Sequence, residues 1–306
     1  MSGNTAFAIV LAALVGVLQS TPTWRDPSPH QVRWVTVQSN VRLEVLDWGG
    51  SGGPLLFVGC YLTGHVYDEI APKLTDQLRV FAVTRRGVGA SDRPPTGYDP
   101  QRRAEDILEV IRAMQMDRPI LVGNSCGGGI LHTLGAQHPD RIGGLVYLDA
   151  AEDPTLKLSD YPAITVDMSK LPKAVRKEAP VQFPEAEQRA MAERPLTPAI
   201  RKAIVQDHNV RPDYARIRVP VLAIYRTTTL AQALEQFPPE TEAQRAALIT
   251  GYAAGRAMVE KWQSDLRAGV LGARIVELPG ANLYMFLSNE ADVIREIRDF
   301  AATLKR

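Results

Sequence analysis

Cysteine is nearly absent from this chain, with two residues in 306. That excludes a disulfide-built scaffold and a cysteine-based zinc module. Histidine is also scarce: the five stand at His30, His65, His132, His138 and His208. They and the cysteines fall at no zinc-like spacing, so no metal and no cofactor is expected. A surplus of one charge is missing, because 35 basic side chains face 34 acidic ones. The chain therefore carries no electrostatic footprint for nucleic acid or an anionic membrane. Long apolar runs are missing too. The longest, residues 6–18, is shorter than the roughly 20 residues a membrane span requires. It has the length of a signal-peptide core, but no Lys or Arg precedes it and no clear cleavage site follows. Export and an N-terminal helix stay open as readings. The first implies a secreted or periplasmic protein, the second a cytoplasmic one.

What is present is an ordinary globular composition, 45% hydrophobic and 23% charged, in a chain long enough to bury a full core. Residues 32–37 and 41–46 alternate around Ser39 and Asn40, the pattern of a β-hairpin. Short continuous apolar runs follow at 54–58, 79–83, 120–122, 145–148, 221–224 and 275–278. Runs of this kind suit parallel strands covered on both faces. Helical patterns separate them. One spans 100–116, with Asp99 as N-cap and Pro100 in the first turn. Another spans 290–304, with Ser288 or Asn289 as the cap. The expectation is a doubly wound, mostly parallel α/β sheet. Residues 1–30 form an N-terminal apolar segment and linker, and 31–150 with 217–306 form the core. Residues 151–216 read as a helical cap or lid inserted between strands.

The sharpest local signal is Gly123-Asn124-Ser125-Cys126-Gly127, set between the apolar run 120–122 and a helical stretch containing Ile130, Leu131 and Leu134. A serine at the tip of a tight strand-to-helix turn has a strained backbone. Glycines beside it let the strand and helix approach. The turn lifts the hydroxyl above the sheet edge, over the positive end of the helix dipole.

With this Gly-x-Ser-x-Gly turn, the chain resembles the α/β-hydrolase superfamily over about residues 32–304. The loop Arg86-Gly87-Val88-Gly89-Ala90-Ser91 is similar to that family's Arg-Gly-x-Gly-x-Ser loop. Residues 137–142 are similar to its segment leading into the sixth strand. The resemblance implies capped, esterase-like relatives, with Ser125 as nucleophile for carboxylic ester or related acyl bonds. It also implies an oxyanion hole built from the backbone N–H groups of Tyr61 and Cys126.

The same resemblance exposes a gap. A serine hydroxyl needs a neighbouring base, usually His, with a carboxylate to orient it. The histidine slot past the last strand holds Leu283, in Asn282-Leu283-Tyr284. Thr229 stands near the acid slot after the seventh strand. Asp149, after the sixth, is an alternative acid or a structural carboxylate. Gly59 and Asn124 occupy two further positions where the family commonly has His. His65 is the remaining candidate base, weighed against a role at the start of a helix. The expected pocket comprises Cys60, Asn124, Asn282, Leu283 and Tyr284. Cys60 and Cys126 read as two small buried hydrophobes, with a disulfide as the alternative.

Two functions follow from this pattern. One is a serine hydrolase with an incomplete triad. The other is a non-catalytic binder of small molecules, with residues 283–286 lining an apolar site. The expected partner is a small apolar molecule bearing a carbonyl, taken up by a monomer or homodimer.

Overall fold

The computed structural model describes residues 24–157, 160–161, 181–207 and 210–304. The apolar run at 6–18 and His208 lie outside these residues. Eight strands form one sheet: β1 (Gln31–Gln38), β2 (Val41–Gly49), β3 (Pro54–Val58), β4 (Arg79–Thr84), β5 (Ile120–Asn124), β6 (Gly144–Leu148), β7 (Val221–Thr227) and β8 (Arg274–Pro279). Their order is β1-β2-β4-β3-β5-β6-β7-β8. The first two strands run antiparallel to their neighbours, and from β4 to β8 the pairing is parallel. The doubly wound α/β expectation is met.

The helices are α1 (Pro100–Ala113), α2 (Gly127–Gln137), α3 (Glu185–Glu193), α4 (Pro198–Asp207), α5 (Leu230–Gln236), α6 (Glu242–Gly269), α7 (Met285–Ser288) and α8 (Glu290–Thr303). Both α3 and α4 lie in the insertion between β6 and β7.

Continuous apolar strands have the reason anticipated for them: both faces of the sheet are covered. On one face Leu56, Phe81, Leu121 and Tyr147 pack with Ile107 and Ile111 of α1 and Leu131 and Leu134 of α2. On the other, Phe57, Val122, Leu148 and Ile224 pack with Tyr67, Ile70, Phe286 and Ile297. Each fully buried Leu, Ile or Phe contributes about 1.5–3 kcal/mol relative to exposure.

Local chemistry sets the element ends. The Asp99 carboxylate accepts the Arg102 N–H at 2.8 Å, and Pro100 opens α1. Asp99→Ala should lower the unfolding free energy by about 1 kcal/mol, read as a lower midpoint in urea; an unchanged midpoint would remove the cap from the account. Asn289 stands at the start of α8, but its side chain makes no bond to the helix. It accepts the Ser288 hydroxyl at 2.8 Å instead, so the two candidate caps pair with each other.

The Arg86–Ser91 loop is held at both ends. Arg86 Nε and Nη2 each donate to Asp106 of α1 at 2.6 Å. Ser91 Oγ accepts the Glu44 N–H at 2.9 Å and donates to the Thr84 carbonyl. The motif is therefore a strut between β4, β2 and α1.

Candidate active site

Strand β5 delivers Ser125 to the top of the sheet. Its φ is +50°, in the left-handed region that non-glycine residues rarely occupy. Local close packing enforces this. A Cβ on Gly123 would lie 2.9 Å from Leu131 Cδ1, and one on Gly127 would lie 2.5 Å from the Val58 carbonyl oxygen. The Ser125 N–H reaches the Leu148 carbonyl at 3.3 Å, and the Ser125 carbonyl accepts the Gly128 N–H at 2.9 Å. The serine is half-buried at the N-terminus of α2. Among the described residues, no side chain is hydrogen-bonded to its hydroxyl. Nor, among the described residues, do the backbone N–H groups of Tyr61 and Cys126 have an acceptor.

The cysteines correct the preferred reading of two separate hydrophobes: Cys60 and Cys126 form a disulfide, with Cα atoms 5.1 Å apart. The cause is strand register. Parallel pairing sets Val58 of β3 opposite Gly123 of β5, so the two following turns leave the sheet side by side. The bond ties the Tyr61 loop to the serine turn.

Leu283 is brought to the same place. Asn124 Nδ2 donates to the Leu283 carbonyl and to the Leu148 carbonyl, at 2.9 Å each. Asn282 shapes this turn by accepting the Tyr284 N–H at 2.7 Å. Tyr284 meets the Phe183 ring edge-on, with centroids 5.0 Å apart. Met285 and Phe286 do not line a pocket. Both are fully buried in the core, where Phe286 packs on Tyr67.

The two acid positions are engaged elsewhere. Thr229 caps α5 through a reciprocal bond pair with Gln232. Asp149 has φ +49° and accepts Arg226 Nε at 2.5 Å. Burial pushes its pKa up, against the Arg226 charge that pulls it down. Asp149 lines a cleft of about 300 Å³ with Tyr225, Arg226, Tyr252 and Trp262. Ser125 is not among the residues lining that cleft.

His65 lies in an ionic cluster. Its Nδ1 is 3.0 Å from Asp26 and 3.1 Å from Asp68, and its Nε2 is 4.0 Å from Glu44. Burial opposes its charge, but the Asp68 hydrogen bond and the charges of Asp68, Glu44 and Asp26 outweigh it and raise its pKa to about 9. Its ring nitrogens are turned to carboxylates, and among the described residues it makes no hydrogen bond to Ser125. Its place at the start of a 3-10 turn, Gly64–Tyr67, agrees with the helix-start reading. His132 Nδ1 sits 3.2 Å from the Tyr147 hydroxyl, and His138 ends α2. His30 joins the cluster of His65, so the fold assembles four potential metal ligands where linear spacing shows none: Asp26, His30, His65 and Asp68. The available signal was two local pairs, Asp and His four apart, then His and Asp three apart.

Two further residues were missed by sequence reasoning. Glu187 of α3 is fully buried; it accepts the Thr63 N–H at 3.1 Å and the Thr63 hydroxyl, pinning the insertion to the loop that follows Tyr61. Arg85 is buried with Nη2 3.8 Å from Cys126 Sγ, and among the described residues its Nε and Nη1 have no hydrogen-bond partner. Burial and the neighbouring Arg103 charge hold its pKa well below the usual range. A glutamate in a polar helix and the first of two consecutive arginines carry no distinctive pattern.

A parallel sheet carrying a serine on a strained strand-to-helix turn defines the α/β-hydrolase class. Residues 49–296 match the model of the alpha/beta hydrolase family, and the chain belongs to that family. It is 34% identical over 109 residues to 2-(acetamidomethylene)succinate hydrolase of Mesorhizobium japonicum, a match covering 36% of this chain and 39% of that protein. It is 31% identical over 214 residues to the AB hydrolase superfamily protein YisY of Bacillus subtilis, covering 63% of this chain and 80% of that one. The first of these matches spans about two-fifths of the relative's length. Among solved structures, a serine hydrolase involved in carbazole degradation superposes with a TM-score of 0.63 at 18% identity, covering 89% of this chain and 99% of that one. That likeness concerns the fold. Among the described residues, no helix is long and apolar enough to cross a membrane.

Proposed function

We propose that the chain is a serine hydrolase acting on carboxylic ester or related acyl bonds of a small, largely apolar molecule. Ser125 attacks the carbonyl carbon, and the Tyr61 and Cys126 N–H groups receive the oxyanion. The observation that carries this reading is Ser125 at φ +50° on the β5–α2 turn, with two backbone N–H groups nearby that have no acceptor among the described residues. Strain of this kind persists where the surrounding structure over-determines it, and it clusters at active sites. The buried Arg85 guanidinium adds positive potential where negative charge develops. The α3–α4 insertion acts as the cap, anchored through Glu187 on Thr63. The relative named above as a succinate hydrolase fits this class.

With Leu283 in the base position, turnover is slow and favours activated esters. Serine hydrolases stripped of triad members keep about 10³–10⁴ over water from the oxyanion hole and binding. A fluorophosphonate probe should label the protein at Ser125, and Ser125→Ala should abolish both label and ester turnover. Absence of labelling, with an ordinary esterase labelled alongside, would overturn the reading.

One observation favours the second function, a ligand-binding member of the family without catalysis. The Leu283 turn is fastened to Asn124, so an aliphatic residue is built into the base position. Ligand affinity unchanged in Ser125→Ala, with no Ser125-dependent turnover in the parent, would select it. The Cys60–Cys126 disulfide supports an oxidising compartment for either function, in line with the export reading of residues 6–18.

A further inference from the structure

The cluster at Asp26, His30, His65 and Asp68 is independent of the serine site and of any hydrolase activity. Asp26 and His30 precede β1. His65 and Asp68 belong to the 3-10 turn that follows the Tyr61 loop. One ligand atom from each of the four lies within 4.8 Å of all the others. His30 Nδ1 is 3.0 Å from Asp68 Oδ1, and His30 Nε2 is 3.8 Å from Asp26 Oδ2. His65 Nδ1 faces two carboxylates at once, Asp26 Oδ2 at 3.0 Å and Asp68 Oδ2 at 3.1 Å.

Hydrogen bonding within the cluster does not satisfy it. An imidazole nitrogen carries one proton along one direction, so His65 Nδ1 can serve only one of its two carboxylates. It serves Asp68. Among the described residues, Asp26 Oδ2 has no hydrogen-bond partner, and it lies at ion-pair distance from both imidazoles. Held by ion pairing alone, that oxygen is open to a cation. A single cation between the four residues would take one atom from each and neutralise both carboxylates.

We infer that these residues form a structural zinc site. Two imidazole nitrogens and two carboxylate oxygens are a borderline donor set that Zn²⁺ accepts in tetrahedral geometry. Bond lengths of about 2.0–2.2 Å put tetrahedral ligands roughly 3.4 Å apart. One ligand atom from each residue lies within 4.8 Å of the other three, close enough for small side-chain rotations to bring the four to that spacing. Glu44 lies 4.0 Å from His65 Nε2, at ion-pair and not hydrogen-bond distance. Four protein ligands leave no open position, the mark of a structural site. Both cysteines are in the disulfide and do not compete for the metal. The metal would bolt residues 24–30 to the 3-10 turn. Trp24 in that segment lies under Arg189 of α3 at 4.6 Å, so the tie extends to the inserted helices.

The test is zinc itself, on the full chain without a histidine tag. Protein stripped with chelator is titrated with Zn²⁺ at pH 7.5 by calorimetry, and its Tm is followed in parallel. One Zn²⁺ per chain and a Tm that rises with zinc concentration are expected. His65→Gln should lose stoichiometric binding. Asp26→Asn, which is isosteric and lies outside the sheet, should bind at least about tenfold more weakly while the zinc-free Tm stays close to the parent's. A parent with no stoichiometric binding overturns the site. So does zinc affinity that is undiminished in folded Asp26→Asn.

Discussion

Leu283→His should raise Ser125-dependent hydrolysis of an activated ester about a hundredfold. A positioned general base contributes about 10²–10⁴, and the lower end applies because no carboxylate orients the new imidazole. The placement is specific. The Leu283 carbonyl is fixed 2.9 Å from Asn124 Nδ2, one residue before the nucleophile, and the two N–H groups proposed for the oxyanion are already present. Thr229→Asp supplies the missing carboxylate. Asp caps a helix as well as Thr does, so α5 should survive the change. The double variant should exceed Leu283→His alone, because an orienting carboxylate in a serine triad is worth up to about 10⁴. The readout is kcat/KM with and without Ser125→Ala in the same background. A folded Leu283→His protein with the parent's rate would refute both the slot assignment and the integrity of the rest of the site.

Removing the disulfide should cost about 4 kcal/mol of stability. Cys60 and Cys126 are 66 residues apart, and closing a loop of that length lowers the unfolded chain's entropy by this amount. The double substitution Cys60→Ala with Cys126→Ala should therefore move the urea midpoint strongly downward, and reduction of the parent should do the same. Fluorophosphonate labelling of Ser125 should slow as well, since the bond holds the Tyr61 loop against the serine turn. A midpoint that reductant leaves unmoved would mean the bond does not constrain the unfolded chain.

Much of the frame was legible because it rests on local chemistry. The apolar runs from 54–58 onward became parallel strands, since only strands covered on both faces need unbroken hydrophobic sequence. Asp99 and Pro100 marked the start of α1 through a capping bond that involves neighbouring residues alone. Ser125 announced itself because glycines at 123 and 127 are what a strained strand-to-helix turn demands. Where the reading failed, the deciding partner was distant in the chain. Met285 and Phe286 looked like pocket wall, yet Tyr67 and the sheet claim Phe286 for the core.

The sequence by itself determined the class of fold, the serine turn and the lack of a histidine at position 283. Each depends on residues within one strand, one turn or one helix. Tertiary structure alone decided that Cys60 and Cys126 bond, that His65 belongs to carboxylates rather than to Ser125, and that Asp26 and His30 meet His65 and Asp68. Those outcomes depend on strand order and register, which bring separate segments within bonding distance. No local pattern encodes such a distance, because it is set by how the whole sheet packs.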